Sequence, residues 1–279
     1  MKAKTGLVLI LLALGASPSS ALLAQDQPGN PLLTSDFLVS GGVFFPRKEF
    51  KLAVNGDDLA PDDPIDFGDA IGYKEDESTF ALDLKWRFGE KWSVSGQYWQ
   101  TSDNSSATLE EDVHWEDVVF EQGTFVNGGV GFKVARLFFG RTFSTSEHHE
   151  FGLGLGLHWL EVEASLSGQI LTNVGDTELY RGSVSADAPL PNIGGWYTYA
   201  FSPKWAVYSR LDWLDASIGD YSGGLWNLGA GVNWAFSKHV GATLAYNYFN
   251  LNIDVEQNDW DGSVDLSQYG PFLSLTANW

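Results

Sequence analysis

The chain has 279 residues and no cysteine, with 36 acidic against 16 basic side chains and a net charge of −20. This excludes a disulfide framework, a thiolate metal site, a thiol-linked lipid anchor and a nucleic-acid interface built on a basic surface. The length allows one large all-β domain or two small ones.

At the N-terminus, Met1-Lys2-Ala3-Lys4 is basic, Leu7 to Leu14 is an unbroken apolar run, and Gly15 to Ala21 is rich in small residues. That order is the order of a secretory signal peptide. The apolar run is too short for a membrane-spanning helix, which needs about 20 residues. The expected organisation is a signal peptide over 1–24, cleaved after Ala21 or Ala24, a periplasmic segment over 25–36, and one β-domain over 37–279.

Beyond the leader, alternation with a period of two replaces helical periodicity. In Phe80-Ala81-Leu82-Asp83-Leu84-Lys85-Trp86-Arg87-Phe88 one face is apolar and the other carries Asp83, Lys85 and Arg87. A soluble sandwich would bury the apolar face, whereas a membrane barrel turns it to lipid. Two features favour the barrel. Aromatic residues such as Trp92, Trp205, Trp213, Trp226, Trp234 and Tyr248 cluster near the ends of apolar faces. Tight turns such as Gly89-Glu90-Lys91, Ser202-Pro203-Lys204 and Ser237-Lys238-His239 also alternate with long polar loops. The pattern predicts an all-β, antiparallel, up-and-down transmembrane β-barrel. Its ten strands fall at about 37–46, 78–88, 92–101, 124–143, 150–165, 188–202, 205–216, 224–236, 240–255 and 264–279. Eight strands is the alternative if two segments are loop. On the fourth strand the apolar parity is even at Val130, Phe132 and Val134 and odd at Leu137 and Phe139, so a β-bulge is expected near Ala135.

Alternation places Asp83, Lys85, Arg87, Gln97, Tyr208, Arg210, Asp212, Asn227 and Asn233 in the lumen, with Lys133 if the bulge holds. Opposite charges in a narrow barrel should pair, because an isolated charge there loses hydration. Asp83 with Lys85, and Asp212 with Arg210, share a face two residues apart. Inward glycines such as Gly152 and Gly229 leave room for long side chains from opposite strands. The expected interior is closed or narrow.

Polarity inverts with height. Phe151 to Trp159 turn an apolar face outward, but the same face continues as Glu161 and Glu163, and the inner face becomes Leu160, Val162 and Ala164. Leu251, Ile253 and Val255, and then Val264, Leu266 and Phe272, repeat this on the last two strands. The barrel should project beyond the bilayer with an apolar interior. Leu160, Val162, Leu251, Ile253, Val255, Leu266 and Phe272 form either a stiffening core or a pocket for a small lipid-like or aromatic molecule.

The final stretch, Tyr269 with Leu273, Leu275, Ala277 and Trp279 at alternate positions, resembles the C-terminal signature of bacterial outer-membrane β-barrel proteins. Within that superfamily the small monomeric barrels of the OmpA type look nearest. The resemblance implies an outer-membrane location and a monomer surrounded by lipid and lipopolysaccharide. It also implies recognition of Tyr269, Leu273, Leu275 and Trp279 by the barrel-assembly machinery.

The outer loops are acidic: Asp57 to Glu77, Asp103 to Glu121 and Asp254 to Asp261 carry most of the carboxylates. They could hold Ca²⁺ or Mg²⁺ loosely, but none matches a twelve-residue calcium loop. A repulsive, solvated surface accounts for them. Catalysis would need a base, an orienting group and a nucleophile in reach. His148, His149 and His239 fall in periplasmic turns, His114 in an acidic loop, and His158 inside the barrel. There is no His-x-Ser pair, and cations beside Asp83 and Asp212 argue against an omptin-like carboxylate pair. The expected role is structural or surface-interacting, without enzymatic activity or cofactor. A narrow channel or receptor for a small hydrophobic solute is the alternative, and a hydrolase is third.

Overall fold

The computed structural model describes residues 29–55, 65–71, 78–115, 118–171, 177–218, 221–256 and 261–279. The expected signal peptide lies outside the described residues, as do most carboxylates of the first acidic loop. In chain order the elements are α1 (Pro31–Thr34), β1 (Phe37–Phe44), β2 (Arg47–Asn55), β3 (Ile65–Asp66), α2 (Phe67–Ile71), β4 (Thr79–Phe88) and β5 (Trp92–Thr108). They continue as β6 (Val113–Trp115), β7 (Val118–Phe120), β8 (Phe125–Thr145), β9 (His149–Leu171), β10 (Thr177–Ala200) and β11 (Trp205–Ile218). The last three are β12 (Tyr221–Ala235), β13 (Val240–Glu256) and β14 (Asp261–Asn278).

Ten strands close into an antiparallel ring in the order β1-β4-β5-β8-β9-β10-β11-β12-β13-β14, with β14 returning to β1 from Leu38↔Asn278 to Phe44↔Phe272. β2 continues β1 past Phe45-Pro46, and β6 and β7 form a separate small hairpin. The apolar faces point outward. Phe80 is 61% exposed, Trp86 50% and Leu155 66%, while Asp83, Lys85 and Arg87 lie on the inner side of β4. Water would not tolerate such a surface, whereas hydrocarbon matches it. Phe151 and Trp159 on β9, Trp205 and Trp213 on β11, and Trp226 and Trp234 on β12 bracket apolar stretches of equal length. Eight residues at about 3.3 Å rise, tilted by about 40°, give roughly 20 Å of height, close to the apolar band of a barrel.

β9 and β10 have 23 and 24 residues, against the 9–11 or so that a bilayer requires. The polar stretch between the expected fifth and sixth strands is therefore mostly strand. Side chains still alternate there, so the ladder continues above the membrane. The register on β8 runs unbroken through Ala135, with its irregularity between Thr142 and Ser144. This corrects two expectations. Val130, Phe132 and Val134 are buried inside, and Lys133 points outward to pair with Glu161 at 2.5 Å.

Above the membrane the ring opens along two seams. β4 pairs with β1 only up to Thr79↔Phe44, and β2 then has β14 and β3 as its neighbours. β10 pairs with β11 only from Ile193↔Trp213 downward. The upper body is thus two facing sheets, β5-β8-β9-β10 and β11-β12-β13-β14-β2. Prolines mark both seams. Ala200 N donates to His148 O and Phe201 N to Trp205 O, so even-numbered residues of β10 face β9 and odd ones face β11. Pro189 and Pro191 therefore lack the two N–H groups that would have carried the ladder toward β11. On the first strand Phe37 N donates to Trp279 O and Arg87 N to Asp36 O, which puts the missing N–H of Pro46 on the β4 side.

Between the sheets lies an apolar core of Phe44, Phe50, Leu52, Phe132, Val134, Leu160, Leu225, Phe249, Leu251, Leu266 and Phe272. Loops complete it. Phe67 of α2 packs on Phe50 (5.0 Å between ring centres) and on Trp115 of β6 (6.4 Å), and both are fully buried.

Candidate functional site

The membrane-level lumen is crossed by polar side chains in two tiers. Gly152 makes the lower tier by leaving space: a Cβ there would lie 2.2 Å from the ring of Trp196, its partner across the β9–β10 ladder. Trp196 swings over it, and its Nε1–H donates to Glu150 Oε1 at 2.5 Å. Glu150 also accepts from Lys85 Nζ at 2.5 Å and from Arg87 Nε at 3.0 Å. Gly229 plays the same part for Arg210, its partner on β11, whose Nη1 reaches Asp83 Oδ1 at 2.9 Å. The glycines thus accommodate neighbours on the adjacent strand, where the sequence suggested opposite strands.

The upper tier is drier. Arg136 grips Asp212 with two bonds, Nε to Oδ2 at 2.5 Å and Nη2 to Oδ1 at 2.8 Å, and donates to Ser95 Oγ at 3.1 Å. Asn227 Nδ2 lies 3.3 Å from Asp212 Oδ2, 3.0 Å from His158 Nε2 and 3.4 Å from Gln97 Oε1. His158 Nδ1 lies 3.0 Å from Asn192 Oδ1. These partners fit a neutral imidazole that donates from Nδ1 and accepts at Nε2. His158 and Asp212 have no exposed surface.

Below both tiers the N-terminal segment turns under the barrel. Asn30 caps α1 by accepting from Leu32 N at 3.0 Å, and its Nδ2 donates to Ser202 O at 3.2 Å on the β10–β11 turn. Arg87 donates to the carbonyls of Leu32 and Ser35, and Asn278 Nδ2 to Ser35 Oγ at 3.1 Å. The sequence assigned this stretch to the periplasm, but gave no sign that it packs against the barrel mouth.

All five predicted lumen charges, Asp83, Lys85, Arg87, Arg210 and Asp212, face inward, but the pairing is not the local one. Arg210 joins Asp83, and Asp212 joins Arg136. Sequence reasoning did not name Arg136, although the outward parity of Leu137 and Phe139 already turned it to the lumen; the unbroken even parity from Val126 to Gly140 places it there. It missed Glu150 because the residue sits at a strand start, although it shares parity with Gly152. Of the predicted apolar set, Leu160, Leu251, Leu266 and Phe272 are buried and Val162 and Ile253 pack against them, while the side chain of Val255 lies outside the described residues. Leu273, Leu275 and Trp279 are exposed on the outer wall, and Tyr269 donates to Glu49 Oε1 at 3.1 Å. Among the described residues no group of three or more His, Asp or Glu is placed to hold a metal.

Comparison with protein-family models and with curated proteins finds no match. Solved structures do match. The outer membrane protease OmpT from Escherichia coli superposes with a TM-score of 0.59 at 10% identity, covering 88% of this chain and 98% of that one. The attachment invasion locus protein Ail of Yersinia pestis (14% identity, 88% and 99% covered, TM-score 0.34) overlaps more loosely. So does OprG from Pseudomonas aeruginosa (12% identity, 91% and 99% covered, TM-score 0.38). At these identities the likeness is one of fold. That fold, with its lipid-facing wall and ionic interior, is the bacterial outer-membrane β-barrel.

Proposed function

We propose that the protein is a closed outer-membrane barrel that serves a structural or surface-interaction role through its projecting upper body. The observation that carries this reading is the upper tier, Arg136–Asp212–Asn227–His158–Asn192, which spans the lumen with its ionic members paired and buried. A hydrated ion would have to break that network, and restoring an unpaired charge at this depth is costly. The packed aromatic core above it favours stiffening over a solute pocket. His158 has no exposed surface from which to meet a substrate, which argues against a lumenal hydrolase. The acidic outer surface suits lipopolysaccharide bridged by divalent ions, with the chain as a monomer.

The test is electrical. Full-length protein reconstituted into planar bilayers should give no discrete conductance steps. Steps in the unmodified protein would overturn the closed-lumen reading and restore the narrow channel. Lipid-A mass spectra that change on deletion of the gene would instead favour the hydrolase.

A further inference from the structure

Between α1 below and the Arg136–Asp212 pair above lies a space of about 160 Å³ in the lumen. Its wall carries three cationic side chains, Lys85, Arg136 and Arg210, against one carboxylate, Asp83. The carboxylates that hold Lys85 and Arg136, namely Glu150 and Asp212, are not part of this wall. Arg210 keeps a buried Nε–H that has no acceptor. With the carboxylates that hold them counted, Lys85, Arg87, Arg136 and Arg210 face Asp83, Glu150 and Asp212, an excess of one positive charge in a chain whose net charge is −20. At membrane depth such an excess is poorly screened and draws an anion. The remaining wall includes the rings of Trp196, Phe138 and Tyr208, flat surfaces against which an aromatic body can lie, together with serine and threonine hydroxyls such as Ser95 and Thr198. Leu32 of α1 is part of the floor, so the N-terminal segment closes the space from the periplasmic side.

We propose that this space binds a small monocarboxylate with a flat apolar body, admitted from the periplasmic mouth when residues 29–36 move aside. The volume equals about five waters, which limits the ligand to roughly the size of benzoate. The carboxylate meets Lys85 and Arg210, and the ring lies against Trp196 and Phe138. The site needs no open channel, so its fate is separate from that of the conductance test.

Equilibrium dialysis of labelled benzoate against the full chain in detergent tests it, with toluene as the uncharged analogue and chloride as a bare anion. The expected result is saturable binding of one benzoate per barrel, displaced by unlabelled benzoate and not by toluene or chloride at equal concentration. Lys85→Gln should weaken binding at least tenfold, and Lys85→Arg should retain it. Thr198→Phe fills the space without changing its charge and should abolish binding, which decides the matter if Lys85→Gln fails to fold. Absence of saturable binding to the unmodified protein would overturn the proposal. So would toluene competing as well as benzoate, or a folded Lys85→Gln or Thr198→Phe protein binding as before.

Discussion

The membrane-level barrel and the body above it are made from the same strands, yet they are inside out relative to each other. On β9, Leu153, Leu155 and Leu157 face out at one level, and Glu161 and Glu163 face out a few residues higher. Inside, the order reverses from Glu150 to His158 to Leu160 and Leu166. The lower part is closed on itself because lipid offers no partner for a free backbone N–H or C=O. The upper part sits in water, which does offer one, and there the ring opens into two sheets held by a hydrophobic core. The solvent outside each level, more than any change in strand propensity, sets both which residues face in and whether an open edge is tolerated.

The polar tiers and the apolar core also differ in what they contribute. Burying Arg136 and Asp212 costs each its hydration, and their mutual attraction largely offsets that cost, so the pair fixes geometry more than it adds stability. The aromatic core yields net stabilisation, because Phe50, Phe67 and Trp115 leave water altogether. The upper body stands on its core, and the lower barrel on its wall of backbone bonds in lipid.

The sharpest way to break this contrast is Arg136→Ala. It strands a fully buried Asp212 and should cost about 3–5 kcal/mol in reversible urea unfolding from lipid. The double change Arg136→Met with Asp212→Leu should recover most of the loss; a double variant no better than the single one would mean that the pair itself supplies the stability. Next comes a matched substitution on one face of β9. Leu155→Arg faces hydrocarbon and should cost about 2–4 kcal/mol. Glu163→Arg, above the membrane, should stay within about 0.5 kcal/mol. Equal costs at the two positions would move the membrane boundary.

A small effect is also expected at Lys51, on the upper body. It pairs with Asp66 at 3.1 Å, and the hydrogen bond to that carboxylate raises the lysine pKa above its ordinary 10.5. A raised lysine pKa contributes stability below the unfolded value and loses it as pH climbs through the folded one. The contribution should therefore be flat at neutral pH and fade only in strong alkali. Both groups are substantially exposed, so Lys51→Ala should change stability by less than about 1 kcal/mol. A larger loss would show that α2 is anchored by this pair and not by Phe67.

Much of the architecture was legible in the sequence. Alternation along Phe80–Phe88, the aromatic brackets and the short turns were enough for ten antiparallel strands and for the inward set Asp83, Lys85, Arg87, Arg210 and Asp212. The inversion of polarity on β9 and β13 was visible as well. The seams are not legible there, although Pro46, Pro189 and Pro191 carry part of their signal. A proline says that one N–H is missing, but which neighbouring strand that N–H would have faced depends on a register that the chain does not announce.

The amino-acid order alone determined which side chains share a face, because a pleated strand has a period of two whatever surrounds it. It also determined that the apolar side must meet something other than water. Only the tertiary structure decided who pairs with whom across the lumen. Arg136 reaches Asp212 and Arg210 reaches Asp83 over gaps of 76 and 127 residues, because strand tilt and ring closure set those distances. The same closure brought residues 29–36 beneath the barrel and placed three cations around one small space.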